Sequence, residues 1–414
     1  YEMKKPSVNG ERLIESLETM ARIGATEKGG VCRLAGTTED GDARNLFVDW
    51  AKKANCDVAV DQVGNLFCQR RGRHPELSPV ILGSHLDSQP TGGKYDGAFG
   101  VLAALEVIRA LNDSNIETDR PIEAVSWTNE EGSRFPPAMM GSAVFTGALK
   151  LSDALSAKDL DGCTLQQSLD QIGYAGSMPC GNKPAHAYFE AHIEQGPILE
   201  AESKIIGVVE GIQGIRWFDC TLVGEEAHAG PTPMPARRNA LSGAAHLVQQ
   251  IEAIANDHEP NGRTTVGQFQ VFPNSRNVIP GRVCFTVDMR HPDPNSLVSM
   301  KDSLQAQFKL TCEKTKLEGK LEEIWYSPPT HFEQRCIEDV EDAALLHQYS
   351  NMRIISGAGH DAKYMAEVCP TAMIFIPCKD GLSHNELEDA ADDHLIAGAQ
   401  VLLEVALIKA METE

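Results

Sequence analysis

Three short apolar runs constrain the fold of this chain most: PVILGS (79–84), PIEAVSW (121–127) and TAMIFIP (371–377). Continuous runs of this length are buried on both faces, which is the habit of strands inside a parallel sheet. They alternate with helical patterns. In the stretch 97–111, for example, Val101, Leu105, Ile108 and Leu111 fall on one side. Buried strands alternating with helices predict an α/β fold with a largely parallel sheet flanked by helices. Each run also leads into a segment rich in His or carboxylate. At a strand's carboxyl end such a segment sits on the edge where open α/β sheets place their sites.

Further elements follow from the same periodicities. Leu13, Leu17, Met20 and Ile23 predict a helix over 10–30, and a second is expected over 44–54. Strands are expected at 57–60, 66–70, 188–193 and 205–212. From about residue 213 the order changes: strand (216–223), helix (237–256), strand (264–271), strand (282–290), helix (295–314), strand (317–326). That βαββαβ order is the ferredoxin-like, split βαβ arrangement, expected to form a compact insertion. The expected division is 1–212 and 328–414 for one domain and 213–327 for the insertion. Helices at 337–348 and 392–410 and a strand at 371–376 complete the expectation.

The net charge of −22 over 414 residues opposes binding to nucleic acid or anionic membrane surfaces. No apolar run approaches the ~18 residues of a membrane-spanning helix. The first ten residues carry no apolar signal core. Eleven cysteines with no CxxC spacing are expected to be free thiols in a reducing compartment, so a cytoplasmic location is expected.

Five segments carry the chemistry: GSHLDSQPTGGKYDG (83–97), WTNEEGSRF (127–135), HIEQGP (192–197), EEAHAGPTP (225–233) and GLSHNELE (381–388). His85 follows a strand, and Asp87, two residues on, is placed to orient its ring. Asp96 lies in a glycine-rich loop able to approach a metal closely. Of the adjacent Glu130 and Glu131, one can bind metal while the other stays free as a base, a division of labour that two-metal hydrolases need. His192 and His384 follow further strands. Three His, one Asp and one Glu suit Zn²⁺, Mn²⁺, Co²⁺ or Ni²⁺, and the lack of thiolates argues against a purely structural zinc. In the insertion, His228 is a candidate donor to an oxyanion. Asn277 lies nearby in the sequence, and Arg290 has the fork geometry suited to a substrate carboxylate.

At these residues the chain resembles the N-carbamoyl-L-amino acid hydrolases, an amidase branch of the dinuclear metallopeptidase superfamily related to β-ureidopropionase and allantoate amidohydrolase. The likeness runs from about residue 10 to 410, with the motifs in family order. It implies two divalent ions per subunit. His85, Asp96 and His192 hold one, Asp96, Glu131 and His384 hold the other, and Asp96 bridges. It implies Glu130 as general base and Gln195, His228, Asn277 and Arg290 as substrate contacts, with His360, in SGAGHDA, near the substrate. In the related peptidases the position of His192 is usually a carboxylate, so HIEQGP favours the amidases. The resemblance further implies a ureido substrate bearing a carboxylate, and an insertion that serves as lid and dimerisation domain of a homodimer. In such a dimer His228 and Asn277 reach the partner's site.

Overall fold

The computed structural model describes residues 5–181 and 183–413. The chain divides into two compact units: residues up to Glu210 together with His331 onward, and Gly211–Thr330. The second is a few residues wider than the expected 213–327.

A nine-stranded sheet organises the first unit. Its strands run in the order Asp57–Val60, Leu66–Arg70, Ile122–Trp127, Val80–His85, Ala187–Ile193, Thr371–Ile376, Ile206–Ile212 and Thr330–His331, and Asn351–Ser356 also pairs with Ile206–Ile212. The four central strands, Ile122–Trp127, Val80–His85, Ala187–Ile193 and Thr371–Ile376, are mutually parallel, and antiparallel pairs flank them. All four are buried along their whole length. This is why they read as continuous apolar runs rather than alternating ones. The register sets His85 beside Trp127 and His192 beside Phe375. The loops that follow these strands therefore leave from one edge of the sheet.

Helices Ala98–Asp113 and Asp392–Ala410 pack against the central strands; the first is almost wholly buried and the second mostly so. The first helix is shorter than expected: it spans Gly10–Ala21, not 10–30. The apolar spacing continues to Ile23, but Gly24 adopts φ +79°, and a Cβ there would meet the Cys32 carbonyl oxygen at 2.4 Å. The second helix starts earlier than expected, at Thr38, because the Thr37 side chain accepts from the Asp40 N–H and caps it.

The second unit has an antiparallel sheet in the order Glu318–Ser327, Gly214–Val223, Arg282–His291, Arg263–Thr265, with Phe269–Phe272 also paired to Arg282–His291. Helices Ala240–Asn256 and Pro294–Thr315 contribute Leu247, Ile251, Met300 and Leu304 to a core shared with Phe218, Val283, Phe285 and Met289 of the sheet. Arg282–His291 alternates buried and half-buried positions, as expected of a sheet covered on one face. The βαββαβ order is present with one correction: the strand expected at 264–271 is two strands, interrupted at 266–268.

Candidate metal centre and active site

His85 terminates its strand with the ring buried. Its Nδ1–H donates to the backbone carbonyl of Asp87 at 2.8 Å, which turns Nε2 the other way. Nε2 is buried and has no hydrogen-bond partner among the described residues, although Glu130 Oε2 lies 3.4 Å away and Asp96 Oδ1 3.5 Å away. His192 is arranged alike: Nδ1 meets the Ile193 carbonyl at 2.9 Å and Nε2 lies 3.3 Å from Asp96 Oδ1. His384, at φ +52°, brings Nε2 within 3.3 Å of both Asp96 Oδ2 and Glu131 Oε2. Asp96 thus directs one oxygen to His85 and His192 and the other to His384. Two groups of potential ligands meet at it: His85, Asp96 and His192, and Asp96, Glu131 and His384.

Local sequence explains the close approach. Gly97 has φ +72° at the start of helix Ala98–Asp113, and a Cβ there would lie 2.4 Å from a His85 ring carbon. The residue after Asp96 therefore has to lack a side chain for the ring to pack over the loop.

Asp87 is in the site, but not as expected. The His85 ring takes its backbone carbonyl, and the carboxylate, 3.6 Å from Nδ1, instead accepts the N–H groups of Glu130 and Glu131, both at 3.1 Å. It anchors the acidic turn and faces His85 only secondarily.

The electrostatics follow from burial. Burial pushes Glu130 well above the ordinary carboxylate range, and the neighbouring Asp361 and Glu131 push the same way, while His85 opposes them. Burial also works against ionised Asp96, yet the adjacent His192, His384 and His85 rings hold it well below its usual value. His384 is raised to about 10 by Asp96 and Glu131. His360 is buried, with its ring centroid 4.5 Å from that of His192, and burial drives it well below an ordinary imidazole. Its Nε2 meets Ser356 Oγ at 3.1 Å. The structure thus brings it against His192 as a backing ring.

The donor set fits divalent metal. Two imidazole Nδ1 atoms are tied to carbonyls, so their Nε2 atoms are the ones presented. His85 Nε2 and Glu131 Oε1 are buried without hydrogen bonds among the described residues, a cost that a cation at the centre removes.

Gln195, at φ +60°, donates from Nε2 to Asp96 Oδ2 and to Ser383 Oγ, both at 3.0 Å. The other three expected residues belong to the second unit. His228 and Asn277 are exposed and adjacent: His228 bridges to Val278, and Ala229 N–H donates to the Asn277 carbonyl. Arg290 is half-buried and already forms a bidentate pair with Asp288, at 2.8 and 2.9 Å, and Trp217 Nε1 also donates to Asp288. A carboxylate anchored at Arg290 has to share its guanidinium with Asp288.

Three buried acids escaped the sequence reading. Glu388 accepts the N–H groups of Tyr95 and Asp96, and burial pushes it up to about 7. Glu190 accepts from Ser84, Tyr188 and Ala362 N–H. Asp361 accepts from Ser142, and its Oδ2 has no hydrogen-bond partner among the described residues. Glu388 lies four residues after His384, and Asp361 directly follows His360 in SGAGHDA, whereas Glu190 precedes the HIEQGP segment.

Comparisons with known proteins identify the family. Residues 81–408 match the model of peptidase family M20/M25/M40. An N-carbamoyl-L-amino-acid amidohydrolase of Rhizobium meliloti is 46% identical over 97% of this chain and 96% of its own length. An allantoate amidohydrolase of Bacillus subtilis is 32% identical, covering 98% of each. The crystal structure of an amidase of the hydantoinase/carbamoylase family from Burkholderia multivorans superposes with a TM-score of 0.95 at 56% identity, covering 99% of this chain and 100% of that one. The chain therefore belongs to peptidase family M20/M25/M40, and within it to the hydantoinase/carbamoylase amidases.

Proposed function

We propose that the protein hydrolyses the ureido carbon–nitrogen linkage of N-carbamoyl-L-amino acids, giving the free amino acid, ammonia and carbon dioxide. The observation that carries the reading is the Asp96 carboxylate, with His85 and His192 on one oxygen and His384 on the other. His85, Asp96 and His192 would hold one divalent ion, and Asp96, Glu131 and His384 a second. Bound there, the ions supply Lewis acidity, which lowers the pKa of water and polarises a carbonyl.

The chain's own groups do the rest. Glu130 takes the proton of the attacking water as the water oxygen bonds to the carbamoyl carbon. The tetrahedral oxyanion is met by a hydrogen bond from His228. Glu130 then returns the proton to the leaving nitrogen as the carbon–nitrogen bond breaks, leaving a carbamic acid whose loss of carbon dioxide frees the second nitrogen. Arg290 and Asn277 take the substrate carboxylate. Buried His360 keeps the His192 ring in place. The eleven free thiols fit a reducing, cytoplasmic setting. A homodimer completes the reading, and light scattering of the purified protein tests it.

Ammonia release from N-carbamoyl-L-amino acids, N-carbamoyl-β-alanine and allantoate, with ninhydrin detection for dipeptides, tests the substrate class. The N-carbamoyl-L-amino acids are expected to have the highest kcat/KM; faster turnover of allantoate or of a dipeptide contradicts the reading. Arg290→Ala is expected to lower kcat/KM on carboxylate-bearing substrates by roughly 10- to 100-fold, the size of one charge-assisted hydrogen bond. An unchanged value removes Arg290 as the anchor.

A further inference from the structure

Gln195, Ser383 and Glu388 form a hydrogen-bonded chain that closes on Asp96 at both ends. Gln195 Nε2 donates to Asp96 Oδ2 at 3.0 Å and to Ser383 Oγ at 3.0 Å. Ser383 Oγ–H donates to Glu388 Oε2 at 3.1 Å. Glu388 Oε1 then accepts the backbone N–H groups of Tyr95 and of Asp96 itself, both at 3.0 Å. Three separate loops, around residues 95, 195 and 385, are thereby joined.

The chain has a direction. Both Glu388 oxygens act as acceptors here, Oε1 towards two backbone N–H groups and Oε2 towards Ser383, so the one proton of Ser383 is directed to Glu388. Ser383 Oγ is then an acceptor towards Gln195, and Asp96 Oδ2 is an acceptor as well. Both demand the amide nitrogen of Gln195, whose two protons are used up. Its Oε1 is left with no hydrogen-bond partner among the described residues. Gln195 is half-buried, so that oxygen is within reach of a ligand.

We propose that Glu388 and Ser383 are positioning residues that fix the amide polarity of Gln195, so that its Oε1 presents an acceptor to the N–H groups of a ureido substrate. The inference rests on the ureido reading above and deepens it. A ureido group offers a terminal NH₂; an N-acetyl group of similar shape offers a methyl there. A fixed acceptor favours the first and leaves an unsatisfied buried oxygen against the second. Glu388→Gln breaks the direction without changing shape, because a Gln side chain can donate to Ser383 and free its proton to turn towards Gln195.

The test is the ratio of kcat/KM for an N-carbamoyl-L-amino acid to that for the matching N-acetyl-L-amino acid, measured at pH 8 on zinc-loaded protein. The ratio is expected to fall about tenfold in Ser383→Ala and in Glu388→Gln, the size of one hydrogen bond, and to be restored in Ser383→Thr. If both substrates slow equally and the ratio holds, the residues serve stability alone and the proposal is overturned. A second readout does not depend on the substrate. In zinc-loaded protein with ¹⁵N-labelled glutamine, the Gln195 side-chain protons are expected to exchange with water about tenfold faster in both variants than in the unaltered protein. Equal exchange overturns the proposal even if the unaltered protein hydrolyses neither substrate, an outcome that would by itself sink only the ureido reading.

Discussion

Glu130→Gln is expected to lower kcat by roughly 10²- to 10⁴-fold, the usual scale for losing a general base, while metal content is unchanged. The substitution keeps the side chain's shape in its buried position and removes only the capacity to take a proton. The geometry makes metal content the informative half of the measurement. Glu130 Oε2 lies 3.4 Å from His85 Nε2, and Glu130, Glu131 and His85 themselves form a group able to hold a cation. If Glu130 is the base, the variant binds metal like the unaltered protein and turns over poorly. Loss of one ion in the variant would reassign Glu130 as a ligand, and near-normal turnover would remove it from the mechanism.

Gly97→Ala is expected to destabilise the first unit by about 2–6 kcal/mol. Roughly 1–3 kcal/mol comes from a backbone conformation that side chains rarely adopt and about 1–3 kcal/mol from forcing a methyl into packed space. The new Cβ would lie 2.4 Å from the His85 ring. The ring and the Asp96 loop therefore have to separate, and metal affinity should fall along with stability. Calorimetry with and without added zinc checks both parts. An unchanged melting temperature and an unchanged zinc-induced shift would show that the loop has room that the structure denies it.

Much of this site was legible in the sequence because its ligands follow strands buried on both faces. Val80–His85, Ile122–Trp127 and Thr371–Ile376 fall within a residue of the apolar runs that predicted them. Parallel pairing then brings His85, Glu131, His192 and His384 to one edge. Legibility failed where backbone geometry or hydrogen bonding decides. The apolar spacing that predicts a helix to residue 30 does not register the left-handed turn at Gly24. The strand Asn351–Ser356 has mixed polarity, half-buried on an outer pairing, and so lacks the signal of the central strands. Asp87 was placed near His85 by its spacing, yet its carboxylate holds the Glu130 and Glu131 backbone instead. A carboxylate whose work is to accept backbone N–H groups leaves no spacing behind, and Glu388 escaped notice for the same reason. Asp288 was missed because the ion pair that occupies Arg290 depends on both side chains turning to one face of their strand.

We propose that the residues around Asp96 would hold two divalent ions that serve hydrolysis of a ureido bond. Titrating metal-stripped protein with zinc or manganese, while following bound metal and ammonia release from an N-carbamoyl-L-amino acid together, tests it most directly. The account predicts that activity is absent without metal and reaches its plateau only as the second equivalent per chain binds. A plateau at one equivalent, or no ammonia at any loading, would contradict it.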